Sequence, residues 1–593
     1  MNTRVFRTGA FFGALPGLLV VAVVSVANPW FLDRPLLYAA VAIVPLALVC
    51  GAALAFVMRH KLWEGLPAMR FAFLLAGAIY LILAFRPRPD AAGVKVMVMG
   101  IDGATFDVID PMIADGDLPA LEALGKDGTT SVLTSMEPMF SPLLWTTMAT
   151  GKPPEDHGIH GFHVHATDCK VPRIWDIADA EGLGVGIYKW LVTWPPRQVD
   201  GFIVPAWLAP SPETWPVDLS FVKEIELANR LKRKNVAQVR SNYELVFIGM
   251  FRGLRFGTVW DATMWTVRER LTRPGDEDRQ VALQLLRGRI DRDVFTWSLS
   301  RYEPELATFT YYATDGLAHI FWRAFRPEGY ADVDPEEVAK YGDAIPEAYR
   351  QADTILGEIV GMLSDDARVV VVSDHGFQPL QIGSGKTFFA PLTERLQARM
   401  KEEVGEVDVS KLGIKLNIGL SDDALDVDEV REWIVSLRDE TGEPFFKVDE
   451  VPGNSRALGL TLVDEYVTAE RIAAGTVGGE PLKQYLKLTE AFTGEHRDDG
   501  VFYAAGPGIS QNRRLSDAGL LDVSPTIQAM LGIQPAADLP GRVLILDDTR
   551  RAGSRDRLVE ELDYGALGRR EEGEEADVNQ ELLEQLGYIE GED

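Results

Sequence analysis

Cysteine is nearly missing from this chain: Cys50 and Cys169 are the only two in 593 residues. No disulfide framework and no thiolate zinc site can be built from such a pair, and Cys169 reads as a small buried side chain rather than a reactive thiol. Positive charge is in short supply as well, with 59 Lys and Arg against 88 Asp and Glu and a net charge of −29. Most of such a surface would repel a phosphate backbone, so nucleic-acid binding is not expected. Histidine is scarce, eight in all, which makes the position of each one informative.

Apolar residues, in contrast, are plentiful. They make up 47% of the chain, with 9% aromatics, enough for a large packed core. The first ninety residues hold an unusual share of them. No charge interrupts Thr8 to Leu32 or Pro35 to Met58, and each run exceeds the roughly 20 residues that span a bilayer. A third run, Phe71 to Phe85, is shorter, but Arg70 and Arg86 flank it and can snorkel to the interfaces. The expectation is a transmembrane region over 1–90 with spans at about 8–30, 36–58 and 69–86. Arg4, Arg7, Arg59, Lys61 and Arg70 fall on one side of it and Arg34, Arg86 and Arg88 on the other. The positive-inside bias then puts everything after residue 90 outside the inner (plasma) membrane. Cleavage after "SVA", Ser25 to Ala27, would leave two spans and the same orientation. Only loss of the third span with the first retained would turn the soluble region to the cytoplasm.

Beyond the linker "RPRPDAAG" at 86–93, strand-like runs begin at 94 ("VKVMVMGIDG"), 184, 305, 368 and 500. Helical periodicity lies between them, as in Ile345, Tyr349, Ala352, Leu356, Ile359 and Leu363. Alternation of this kind predicts an α/β fold, a mostly parallel sheet with helices on both faces. Two stretches break the rhythm: 210–300, helix-like and rich in Trp, Phe and Arg, and 385–490, of mixed character. The first reads as a helical insertion with its own small core, or alternatively as a cap over a site or a surface that touches the membrane. The main region after the apolar runs is therefore taken as 91–549 with these two insertions, followed by an acidic tail over 550–593 that contains a short helix.

Several strand-like runs end in an acid: Asp102, Asp315, and Asp374 with His375. Ligands of open α/β sheets bind at the carboxyl ends of strands, so these side chains should converge on one crevice. Asp374 and His375 follow the valines of "RVVVVSDHGF", where burial is costly unless something pairs with them. Adjacent residues on a strand face opposite ways, so both reach one ion only if the strand has already ended. Asp315 and His319, four apart, share a face on a helical turn and offer oxygen and imidazole to zinc or a similar ion. Ser141, before Pro142, reads either as a helix N-cap or as a nucleophile set at the positive end of a helix. His157, His160, His163 and His165 cluster in "DHGIHGFHVHATD" and are taken as structural or rim residues.

In their order, "GIDGATFDVID", "SPLLWTTMATGKPPEDHGIHGF", "YYATDGLAHIFW", "VVVVSDHGF" and "EHRDDGVFYAAGPGI" resemble the alkaline phosphatase superfamily, and within it the type I phosphodiesterase and nucleotide pyrophosphatase-like phosphohydrolases. The likeness runs from about residue 94 to about 545. It implies two divalent metal ions, zinc or alternatively manganese, bridged by a substrate phosphate. Asp102, Asp374 and His375 would hold one metal with Ser141 against it, and Asp315, His319 and His496 would hold the other. Ser141 would attack phosphorus in line and form a phosphoseryl intermediate. The chain departs from nucleotide pyrophosphatases in that Pro142, Leu143 and Leu144 follow the nucleophile, without the Phe and Asn that would serve a nucleotide. It lacks the x-Pro-x-Arg of sulfatases too. The expected activity is a membrane-anchored phosphohydrolase acting on phosphate mono- or diesters, lipid-linked ones among them. Transfer of a phospho-headgroup and a phosphomutase are the alternatives within the superfamily, and a non-catalytic metal-stabilised ectodomain is the alternative outside it.

Overall fold

Strand β1 (Val96–Ile101) is buried at every residue, as expected of a strand covered on both faces. It belongs to a computed structural model that describes residues 90–162, 164–227, 240, 242–330, 333–380, 388–391, 393–412, 415–420, 425–451, 454–462, 469–489 and 493–545. The expected membrane spans, the acidic tail and His163 lie outside them. Among the described residues, no helix is long and apolar enough to cross a membrane.

The strands after β1 are β2 (Gly128–Thr134), β3 (Val185–Tyr188), β4 (Gly201–Val204), β5 (Leu306–Tyr311), β6 (Arg368–Val372), β7 (Gly376–Pro379), β8 (Phe388–Pro391), β9 (Asp408–Leu412), β10 (Lys415–Gly419), β11 (Phe446–Val451), β12 (Asn454–Leu462), β13 (Thr476–Val477), β14 (Glu480–Pro481), β15 (Leu486–Thr489), β16 (Gly494–Arg497), β17 (Asp499–Ala505) and β18 (Arg513–Gly519). Eight of them form the central sheet in the order β18-β2-β17-β6-β1-β5-β3-β4. Within it β1 is parallel to β5 and β6, and β3 to β4 and β5. Only β17 runs against its neighbours, β6 and β2. The α/β fold with a mostly parallel sheet is thus as the strand–helix alternation predicts.

Register fixes where the chemistry emerges. Ile101 lies beside Tyr311, and Gly100 beside Val372, so the segments after β1, β5 and β6 leave the sheet at one edge. The reversed β17 enters at that same edge, with Ser373 N–H donating to Val501 O at 2.9 Å. His496, three residues before β17, is thereby delivered to the carboxyl ends of the parallel strands. Side chains alternate across the sheet: Val96, Val98, Val370, Val372, Phe502 and Ala504 share a core with helices Ser141–Thr150, Ile174–Ala180 and Val523–Leu531. Helices Pro119–Lys126, Ala313–Phe325 and Ala344–Val360 pack together as a further group. Here Asp353 accepts from the backbone N–H of Ala120 and of Leu121, at 3.1 and 2.8 Å.

A smaller antiparallel sheet, β11-β12-β10-β9, lies within the second stretch that breaks the rhythm. Its Leu416, Ile418, Leu458 and Leu460 join helix Val427–Ser436 in a core of their own. All of these elements belong to one compact unit, Ala91–Val239 with Glu277–Gly288 and Arg301–Asp593. A second unit contains residues 240–276 and 289–300. Its described residues are mainly helical, and Asp293 ties them together: the carboxylate accepts from Arg255 N and Thr258 Oγ1, at 2.9 and 2.6 Å.

Candidate active site

β6 ends at Val372, so Asp374 and His375 stand on irregular backbone where adjacent side chains are free to converge. Two hydrogen bonds hold that backbone: Ala104 N–H donates to Ser373 Oγ at 2.8 Å, and Ser373 Oγ–H donates to the carbonyl of His375 at 2.6 Å. Gly376 leaves the room that the next strand needs: its φ is not left-handed, but a Cβ there would run into the backbone and carboxylate of Asp499. Asp102 follows β1 and donates its N–H to Tyr311 O at 2.9 Å, while Thr314 Oγ1 donates to the carbonyl of Asp102 at 2.5 Å. Asp315 and His319 lie on helix Ala313–Phe325 at the i and i+4 positions, with 3.4 Å between Oδ1 and Nε2. His496 Nε2 lies 3.3 Å from the same Oδ1 and 3.0 Å from His319 Nε2.

His375 connects the two groups. Its Nε2 is 3.4 Å from Asp102 Oδ1, 3.4 Å from Asp374 Oδ2 and 3.9 Å from Asp315 Oδ1. The ligand atoms accordingly fall into two clusters, Asp102, Asp374 and His375, and Asp315, His375 and His496. His319 adjoins the second through Asp315 and His496. The division read from the sequence assigned His375 to the first group alone; here it borders both.

Whether these residues suit cations is decided by their hydrogen bonds. Nδ1 of His319, His375 and His496 faces the carbonyls of Gly494, Gly376 and Met139, at 3.2, 3.0 and 3.1 Å. A carbonyl only accepts, so each Nδ1 carries the proton and each Nε2 presents a lone pair inward. Asp102 Oδ1, Asp315 Oδ1, both carboxylate oxygens of Asp374 and His375 Nε2 are buried with no hydrogen-bond partner. Acceptors aimed at acceptors in a buried site call for a positive ion. Electrostatics agree. Burial, with Asp374 and Asp315 nearby, pushes the Asp102 carboxyl well above its ordinary range, and burial with Asp315 raises Asp374 to about 8. Burial lowers His375 and His496, keeping their imidazoles neutral. Phe377 lies beneath all three rings, with centroids 4.8, 5.9 and 5.3 Å from His319, His375 and His496.

Ser141 is the first residue of helix Ser141–Thr150; the N-cap is Phe140, and no side chain caps the helix. The N-cap reading of Ser141 therefore gives way. Two contacts bracket it: Trp145, one turn on, donates Nε1–H to Asp102 Oδ2 at 3.3 Å, and Met139, two residues before, supplies the carbonyl that orients His496. The nucleophile candidate is thus tied to both clusters. Gly100 makes room for this, since a Cβ there would collide with the Trp145 ring. Ser373, Trp145, Thr314 and Phe377 were not singled out from sequence. Trp145 had a usable signal in its i+4 spacing from Ser141 on a helix.

Of the clustered histidines, His157 is buried with Nδ1 accepting from Ile159 N at 3.1 Å and Nε2 facing Thr147 Oγ1 at 3.0 Å. His165 packs edge-on against Trp194, with centroids 4.7 Å apart, and Cys169 is buried.

A sequence description of the type I phosphodiesterase / nucleotide pyrophosphatase family matches residues 96–456. The chain belongs to that family. No curated protein matches it. As a phosphodiesterase-family enzyme it has a phosphate-ester substrate, and its two buried Asp/His clusters suit a two-metal site. His496 lies beyond the matched stretch, and the fold nonetheless delivers it to Asp315.

Proposed function

We propose that this phosphodiesterase-family enzyme cleaves phosphate mono- or diesters through a phosphoserine on Ser141. The observation that carries the reading is the set of inward Nε2 lone pairs and unpartnered carboxylate oxygens beside a helix whose first residue is Ser141. Asp102, Asp374 and His375 would hold one divalent ion and Asp315, His319 and His496 the other; zinc suits this mixed oxygen and imidazole set. When bound, such ions polarise the phosphoryl oxygens and offset the charge of three carboxylates. Ser141 gives up its hydroxyl proton as Oγ bonds to phosphorus, the ester oxygen departs and takes up a proton as the free alcohol, and water later releases phosphate, or a phosphate monoester where the substrate is a diester, and restores the serine hydroxyl. The helix N-terminus beside Ser141 favours the anionic group that develops there.

The test uses the full-length protein in detergent, with metal content and hydrolysis of p-nitrophenyl phosphate and bis(p-nitrophenyl) phosphate measured. Ser141→Ala should keep the metal and lose turnover by about 1000-fold or more. Equal turnover in the variant, or a native protein that binds no divalent ion, would falsify the mechanism. Turnover that requires an added lipid or sugar acceptor would replace hydrolysis by transfer.

We also propose that the enzyme is held at the inner membrane by its N-terminal apolar runs, with the catalytic region outside the cytoplasm. In support, helix Phe256–Thr272 of the second unit carries Phe256, Trp260, Met264, Val267 and Leu271 at helical spacing, with Leu271 78% exposed. Arg268, Arg270 and Arg273 stand beside them, a composition suited to an anionic lipid surface. A reporter active only outside the cytoplasm, fused after residue 93, should be active; an inactive fusion overturns this orientation.

A further inference from the structure

β10 and β12 have two unlike faces. Leu416 and Ile418 point into the insertion's own core with Leu458 and Leu460, so Asn417 and Gly419 between them point the other way. Their cross-strand partners are Gly459 and Ala457, which leaves this face low and partly polar. It forms one wall of a cavity of about 280 Å³. The nucleophile segment lines it as well, through Phe140 and Leu143 on either side of Ser141, and so do His160 and Asp168.

Gly419 shows that the space is not a packing accident. Its φ is not left-handed, and a Cβ added there would meet only Asp408, at 3.8 Å from Cβ. Neither backbone nor packing demands glycine in this strand, where it weakens the sheet; what it provides is room beside Asn417. The lining also limits the chemistry of an occupant. Among the described residues it contains carboxylates (Asp168, Asp408), an amide and an imidazole, with no lysine or arginine in the lining itself, so a second phosphate would face two carboxylates. Phe140 is 1% exposed and packs edge-on against Phe162, so it offers no face on which a base could stack. The volume lies just below the usual range for ligand pockets, in keeping with a single small group.

We infer that this cavity holds a neutral, hydroxyl-rich organic group, a sugar or polyol, esterified to the phosphate of the substrate. The inference rests on the phosphohydrolase reading above. It makes the second insertion the part of the chain that selects among phosphodiesters.

The test compares full-length native enzyme with Gly419→Leu, which fills the cavity, and Asn417→Ala, which removes its amide. The substrates are p-nitrophenyl glucosyl phosphate, p-nitrophenyl methyl phosphate and p-nitrophenylphosphorylcholine. The native enzyme should prefer the glucosyl ester, and each variant should lose about tenfold in kcat/KM on it alone. Retained turnover of the methyl ester reports that the variant is folded; if Gly419→Leu loses both, Asn417→Ala decides. Equal effects on glucosyl and methyl esters, or a selective loss on the choline ester, overturns the proposal. Should the native enzyme hydrolyse none of the three, the hydrolase reading falls. Calorimetric binding of glucose 1-phosphate then judges the cavity separately: binding weakened by Gly419→Leu supports it, and no binding overturns it.

Discussion

The central sheet and the sheet of the second insertion solve opposite problems. In β1, β5 and β6 nearly every side chain is buried on one face or the other, so nothing along their length is available to a ligand. Chemistry is confined to the residues just past the strand ends. In β10 and β12 one face is given to a local core, and the other, with Asn417, Gly419, Ala457 and Gly459, is left small and partly polar. Recognition therefore has a surface there, whereas the parallel sheet offers only an edge. A strand end holds a few groups in fixed positions, as a metal pair requires. A strand face spreads groups over an area, as an organic substituent requires. One fold thus separates reacting groups from selecting groups.

The sharpest way to break this division is at His375, the residue that borders both clusters. His375→Ala should lower bound divalent metal at both and reduce hydrolysis of a small chromogenic ester by about 100-fold or more. Metal analysis together with kcat is the check; a variant with full metal content and native turnover would show that the edge is not the reacting site. Asn417→Ala should leave the metal untouched.

The edge was legible in sequence for a physical reason. A buried parallel strand reads as an unbroken apolar run, so an acid at its end, as at Asp102 or Asp374, stands out against it. Asp315 and His319 were legible through helical spacing. The sharing of His375 was not, because it depends on the register of β6 against β1 and on a backbone held by Ser373. The arrival of His496 depends on the one reversed strand, β17, and direction leaves no trace in local composition. The insertion's sheet was legible only as mixed character: Leu416 and Ile418 alternate with Asn417 and Gly419 over too few residues to declare which face meets a cavity. Trp145 is buried in the core, and its indole N–H also reaches Asp102.

The core of the insertion gives an intermediate test. Ile418 is fully buried, and Ile418→Ala should cost about 2–5 kcal/mol locally. If the two sheets are separately supported, amide exchange should accelerate over 408–462 while β1 and β5 stay protected and turnover of the methyl ester persists. Loss of protection across both sheets would mean that they unfold as one body, and recognition could not then be tuned apart from reaction.

The smallest effect expected separates two kinds of histidine. The site histidines turn Nε2 inward toward one another and toward the carboxylates, whereas His157 accepts at Nδ1 from Ile159 N and donates through Nε2 to Thr147 on the helix that begins at Ser141. The bond accepted at Nδ1 requires the neutral ring, since a protonated Nδ1 has no lone pair to offer. Burial, with His160 nearby, lowers its pKa from 6.5 to about 3. The unfolded chain therefore takes up a proton below about pH 6.5 that the folded protein refuses, and stability is lost as pH falls from there toward about 3. Between pH 7.5 and 5.5 the loss from this one group should be about 1.4 kcal/mol. Chemical denaturation of the native protein and of His157→Gln, at both pH values, isolates it: the variant has no ring to titrate and should lose that much less. An identical pH dependence in the two would show that His157 is protonated without cost. The ordered neutral ring under Thr147 would then not be what steadies the helix that carries Ser141.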